Sequence, residues 1–186
     1  AGASFDFGNG FAAAIAYEGQ GMGKKGILSD QGVDAYGAQV SYTGESYGLS
    51  LSWANIENHN DDNDIDADHG QTQSRAINAY FAPDLSNFPT ISAGFEINHD
   101  DSASSSEDQT SHYFLGLQWD ELGNGTLGAA IGSKAPYLEN ADALTMYEVF
   151  YSYNYADGIT ITPLIFNKDN GGSLSDETGI VLKTEF

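Results

Sequence analysis

The sequence predicts an all-β protein: an antiparallel up-and-down transmembrane β-barrel with about eleven strands in its 186 residues. Three observations lead there. Apolar residues recur with period two in segment after segment, and a helical period is nearly absent. The connections alternate strictly between short and long, as hairpins do when all tight turns lie at one end of a barrel. Most acidic residues fall in the long connections, while the apolar face of the strands is almost free of charge.

Taken in order, strands are expected at 3–7, 10–18, 35–43, 47–56, 75–82, 90–98, 111–119, 125–133, 144–155, 159–167 and 178–186. Residues 47–53 place Tyr47, Leu49, Leu51 and Trp53 against Gly48, Ser50 and Ser52. Residues 90–98 set Ile91, Ala93, Phe95 and Ile97 against Ser92, Gly94, Glu96 and Asn98. In 111–119, Tyr113, Leu115, Leu117 and Trp119 oppose His112, Phe114, Gly116 and Gln118. In 144–155, Tyr147, Val149, Tyr151, Tyr153 and Tyr155 oppose Glu148, Phe150, Ser152 and Asn154. The short connections are 8–9, 43–46, 83–89, 120–124 and 156–158; the long ones are 19–34, 57–74, 99–110, 134–143 and 168–177. Gly8-Asn9-Gly10 and Gly123-Asn124-Gly125 could suggest phosphate cradles, but between alternating strands they read as hairpin turns. Aromatic residues gather near the strand ends on the apolar face, including Phe11, Tyr17, Tyr36, Tyr42, Tyr47, Trp53 and Trp119, as two interfacial belts require.

Composition narrows the function classes. A net charge of -21, from 27 acidic and six basic residues, repels phosphate backbones and argues against nucleic acid as a partner. The absence of cysteine removes disulfide frameworks, thiolate catalysis and cysteine metal sites. The longest apolar run, Phe11 to Tyr17, is far too short for a membrane helix. The mean hydropathy of -0.35 suits a soluble chain. A soluble, acidic, carbohydrate-binding β-sandwich therefore stands as one alternative, since it also alternates. An outer-membrane structural or adhesin barrel with a closed lumen is another.

Charged residues on the polar face are the candidate functional set. Asp6, Glu18, Glu96, Glu148, Lys183 and Glu185 should line the barrel interior, with Arg75 near the outer mouth, and set the field that ions cross. Lys183 and Glu185 lie two apart on one face and should partly compensate each other. The long loop at 57–74 offers Asp61, Asp62, Asp64, Asp66 and Asp68. Residues 62–68 begin like an EF-hand loop, but Ala67 replaces the glycine and Gln73 the terminal glutamate, so a solvated acidic loop is the expectation, with no metal site. His59, His69, His99 and His112 lack ligand spacing. No serine sits in a distinctive turn beside an oriented base, so neither catalysis nor a cofactor is expected.

Short turns are expected on the periplasmic side and long loops outside, with the chain finishing on the apolar-face Phe186. Single-chain bacterial barrels have even strand numbers, and open edges are not tolerated in lipid. Residues 1–186 are therefore expected to form the C-terminal portion of one larger barrel domain, with five further strands making sixteen; a single unrecognised strand making twelve is the lesser alternative. The hairpin Met146-Tyr147-Glu148-Val149-Phe150-Tyr151-Ser152-Tyr153, the following Gly158-Ile159-Thr160-Ile161-Thr162-Pro163 and the closing aromatic strand resemble the C-terminal half of cyanobacterial outer-membrane porins, which join an S-layer-homology region to an OprB-type carbohydrate-porin barrel. Gly10-Phe11-Ala12-Ala13-Ala14-Ile15 and Tyr47-Gly48-Leu49-Ser50-Leu51 are similar in style. The resemblance implies an outer-membrane location, passive diffusion of ions and small hydrophilic solutes, carbohydrates among them, and a homotrimer in contact with outer-membrane lipid. It also implies that the third outer loop, which narrows such pores, precedes residue 1. An acidic mouth should favour cations.

Overall fold

The computed structural model describes residues 1–20, 33–58, 70–101, 109–133, 137–138, 144–171 and 175–185. They form one antiparallel sheet. Its strands are β1 (Gly2–Gly8), β2 (Phe11–Gln20), β3 (Val33–Thr43), β4 (Tyr47–Asn58), β5 (Gln71–Phe81), β6 (Thr90–Asp100), β7 (Gln109–Trp119), β8 (Gly125–Ser133), β9 (Tyr137–Leu138), β10 (Thr145–Ala156), β11 (Ile159–Lys168) and β12 (Glu177–Glu185). Each long strand pairs with its predecessor and its successor, from β1 at one edge to β12 at the other, and the sheet does not close. The two-residue β9 pairs only with β7, taking up that strand beyond its last rung with β8. Periodicity could not announce a strand of two residues.

The sheet is one layer thick. Among the described residues no apolar side chain is buried, and large ones such as Leu51, Ile165 and Ile180 are exposed. A soluble sandwich hides the apolar faces of two sheets against each other; the described residues form one sheet with no second layer against it, which is not that architecture. Exposure alternates with the pleat. In β4, Tyr47, Leu49, Leu51 and Trp53 are exposed, whereas Ser50, Ser52 and Ala54 are half-covered and Gly48 is buried. In β5, Ile77 and Ala79 are exposed and Ser74, Ala76 and Asn78 half-covered. On these strands the face of small and polar residues is thus the more covered of the two.

Register supplies the tilt. One row of paired residues runs Phe11, Tyr42, Leu49, Ala79, Ala93, Leu115, Ile131, Tyr147, Asn167, Thr178. It enters at the turn end of β2 and leaves at the loop end of β12, where Thr178 is seven residues from Glu185. With turn ends level, that stagger over nine pairings, at about 3.3 Å per residue and 4.8 Å between strands, inclines the strands by roughly 30°.

Local chemistry accounts for the turns and irregularities. Gly8, Asn9 and Gly10 all have positive φ, the tight-hairpin geometry, and the backbone N–H of Gly8 donates to Asp6 Oδ1 at 2.7 Å. The β10–β11 ladder skips the rungs opposite Thr162 and Pro163. Proline has no N–H to give, and the Thr162 hydroxyl bonds Ser152 Oγ at 3.1 Å across the gap. The clearest departure from the expected strands lies at the loop ends. β3, β4 and β5 extend outward by two, two and four residues beyond expectation, because Asp34, Glu57, Gln71 and Gln73 pair in register despite their polarity.

Candidate functional site

The polar face is floored by small residues: Ala14 and Ala16 on β2, Ala35 and Gly37 on β3, Ala54, Ala76, Gly94, Ala130 and Gly132 on the strands that follow. Four glycines have a particular reason. The Tyr80 ring lies over Gly48, Phe114 over Gly94, Phe150 over Gly128 and Phe166 over Gly179, each in the adjacent strand. A Cβ at any of these glycines would be driven into the ring. The ring shields backbone that a glycine leaves bare, and a ring laid flat leaves the space above the sheet open. Sequence reading missed these pairs because they exist only once the register is known; the available signal was a polar-face glycine within one hairpin of a polar-face aromatic.

The expected interior residues separate into groups. Glu96 pairs with Ala76 and His112, and Glu148 with Ala130 and Phe166, all on the polar face. Glu96, His112 and Glu148 line one hollow of about 420 Å³ whose floor is Ala76, Gly94, Ala130 and Gly132, with Phe114 between them. Both carboxylates are half-covered, and among the described residues neither has a Lys or Arg partner. Glu18 is exposed on the same face at the loop end of β2. Asp6 is also on this face, but its carboxylate caps the β1–β2 turn. Lys183 and Glu185 pair as expected, Nζ to Oε1 2.9 Å, and are largely exposed. A second polar-face pair is Lys168 with Glu177, 2.8 Å, across β11 and β12.

Arg75 corrects the expectation. It is not on the polar face. Its register partners are Trp53 and Ile97, and it shares a pleat with Ile77, Ala79 and Phe81. The strand begins four residues before 75, so Arg75 is a strand residue with apolar-face parity and not the first residue after a loop.

The loop end of that apolar face carries a polar rim the sequence did not foretell. The Tyr17 hydroxyl donates to Asp34 Oδ1 at 2.5 Å, and Tyr36 donates to Glu57. Asn55 Nδ2 donates to Tyr36 Oη at 2.7 Å and Glu57 Oε1 at 2.8 Å, and Gln71 Nε2 donates to Asn55 Oδ1 at 2.9 Å. Asn55 is 1% exposed, the most buried side chain among the described residues. A buried amide is tolerated here because both its ends are bonded. Below the rim, Tyr36 and Trp53 meet with ring centroids 5.6 Å apart. At the turn end, Phe11–Tyr42 and Tyr42–Tyr47 meet at 4.8 and 5.4 Å. Two aromatic belts thus bound the apolar band.

Asp61, Asp62, Asp64, Asp66 and Asp68, together with His59, His69 and Phe186, lie outside the described residues. No helix of the described residues is long and apolar enough to cross a membrane, which does not bear on a strand-crossing protein. Neither a family model nor a curated protein matches this chain.

Proposed function

We propose that the chain forms the wall of an outer-membrane β-barrel acting as a passive diffusion channel for ions and small hydrophilic solutes, with a preference for cations. One observation carries the reading. Among the described residues a single sheet with no apolar core exposes most of its large apolar side chains, Leu49, Leu51, Ile77 and Ile165 among them, on one face and turns glycine, alanine, serine and carboxylates, with a few rings such as Phe114, to the other. In water that arrangement leaves an apolar surface uncovered across eleven long strands, well beyond the patches soluble proteins show. In lipid it is the ordinary arrangement of a barrel wall.

Dimensions agree. On β4 the apolar band runs from Tyr47 to Asn55, and eight residues at the inferred inclination rise about 23 Å along the membrane normal, close to the apolar height of such barrels. The edges of β1 and β12 carry unpaired backbone groups, each costing several kcal/mol in hydrocarbon. In the membrane those edges are closed by further antiparallel strands, sixteen in all by analogy with the porins the chain resembles. Among the described residues the lumen then presents Glu18, Glu96 and Glu148 without a Lys or Arg partner, while Lys183 and Lys168 are each offset by a glutamate. That imbalance raises local cation concentration and lowers that of anions.

The test is planar-bilayer recording of the purified protein under a salt gradient. Stepwise conductance with a cation-selective reversal potential is expected. Absence of channel steps from protein shown to be inserted would leave a barrel with a closed lumen, and an anion-selective potential would refute the field argument.

A further inference from the structure

Arg75 is the one cation on the apolar face among the described residues, and no carboxylate pairs with it; its guanidinium bonds only Gln73 Oε1, at 3.3 Å. In a chain of charge -21 such a residue should be easy to neutralise, yet Asp34 and Glu57, two same-face rungs nearer the loop end, are taken up by Tyr17, Tyr36 and Asn55. Two hollows meet at Arg75. On the turn side is an apolar groove of about 530 Å³ lined by Val40, Leu51, Trp53, Ile77, Phe95 and Ile97. On the loop side is a smaller recess of about 260 Å³ formed with Gln73, Ile97, His99 and Gln109. His99 also bonds Asp101, 2.8 Å from its Nε2. An apolar trough running toward the band's middle, a polar niche at the band's edge and an unpaired cation between them complement one kind of molecule: an amphiphile with an acyl chain and an anionic head.

We infer that Arg75 and the groove beside it form a binding site for an anionic membrane lipid, the phosphate meeting the guanidinium and an acyl chain lying against Leu51, Trp53, Ile77 and Phe95. The inference rests on the membrane reading above. A guanidinium suits a phosphate because two of its N–H groups can be accepted by two phosphate oxygens, and near a low-dielectric surface such a pair is screened less than in water. Position also matters. Arg75 is level with Trp53, on the loop side of the band's centre, so its long side chain can reach the interface while its methylenes remain in the apolar layer.

Trp53 lies across the strand pair from Arg75, and Trp119 lies on the same face at the turn end of β7, so the two tryptophans allow a direct test. The intact protein is inserted into vesicles containing phosphatidylglycerol or phosphatidylcholine brominated on the acyl chain. Quenching of each tryptophan is taken as the difference between the protein and its W53F or W119F variant. Bromolipid of either head group should quench both. At Trp53 the anionic lipid should associate about fivefold more strongly than the zwitterionic one, the scale of one basic side chain at a membrane surface. R75Q should abolish that preference, R75K should retain most of it, and Trp119 should show no such dependence on Arg75. Equal quenching of Trp53 by both lipids, or a preference that survives R75Q, would overturn the lipid site. So would quenching of Trp119 alone, which would mean another protein surface covers the groove. If neither tryptophan is quenched by either lipid, the membrane reading itself fails.

Discussion

A charge placed on one face of β4 should be ruinous, and the same charge one residue along should be harmless. Leu51 is midway between Tyr47 and Asn55, the limits of the apolar band on this strand, hence about 11 Å from either interface at the inferred strand inclination. A guanidinium there is too deep to reach water easily. Leu51→Arg should cost about 2–4 kcal/mol of folding free energy in a bilayer, roughly 30- to 800-fold in the folding equilibrium. Ser52 points to the opposite face, where its register partners are Gln39 and Ala76. Ser52→Arg should change stability by no more than about 0.5 kcal/mol and should reduce cation preference. The assay is urea-dependent folding into lipid vesicles, read by tryptophan emission and by the gel shift of folded barrels, for the parent and both variants. In aqueous surroundings the expectation reverses, because Leu51 is already exposed and a charge there would favour solubility. A neutral or stabilising Leu51→Arg, or equal losses for the two variants, would refute the assignment of faces.

Other consequences follow from the same geometry. Asn55→Ala leaves Tyr36, Glu57 and Gln71 without their shared partner and should cost about 1–3 kcal/mol, visible as a lower urea midpoint. Gly128→Val pushes a branched side chain into the Phe150 ring and should destabilise by about 1–3 kcal/mol; adding Phe150→Ala should recover part of that, a coupling that a double-mutant cycle measures. Glu96→Gln with Glu148→Gln removes the two carboxylates of the central hollow and should shift the reversal potential toward zero, more at low salt than at high. Lys183→Ala breaks an exposed pair and should alter stability by less than about 0.5 kcal/mol.

Much of the fold was legible because a strand's period is two and the middle of most strands here has one apolar face. Residues 47–53, 90–98 and 111–119 show it, and their register bears it out. Turn order followed from the same pattern. What was not legible depended on registry between strands. The rings of Phe114 and Phe150 and the glycines beneath them are separated in sequence by a long connection, so their fit emerges only after pairing. The rim of Asp34, Tyr36, Asn55 and Glu57 was hidden for a different reason. Acidic and amide residues at a strand's end look like the start of a loop, and nothing local shows that they will bond one another across four strands. Arg75 was legible and was misplaced all the same: it is in phase with Ile77, Ala79 and Phe81, and its charge, not its spacing, had put it with the polar residues. Of the expected interior residues, Glu96 and Glu148 share a hollow with His112, which the sequence offered only as an isolated strand histidine.

The central claim is that one face of this sheet meets lipid and the other meets water in a channel. The chain contains no cysteine, so single cysteines can be placed at 49, 50, 51, 52 and 53 of β4 without removing native ones from it. The inserted protein is then treated with a membrane-impermeant thiol reagent small enough to enter a channel. Labelling is expected at 50 and 52 and protection at 49, 51 and 53, with the protected sites reached instead by a lipid-soluble reagent. Equal labelling at all five positions, or protection at 50 and 52, would contradict the account.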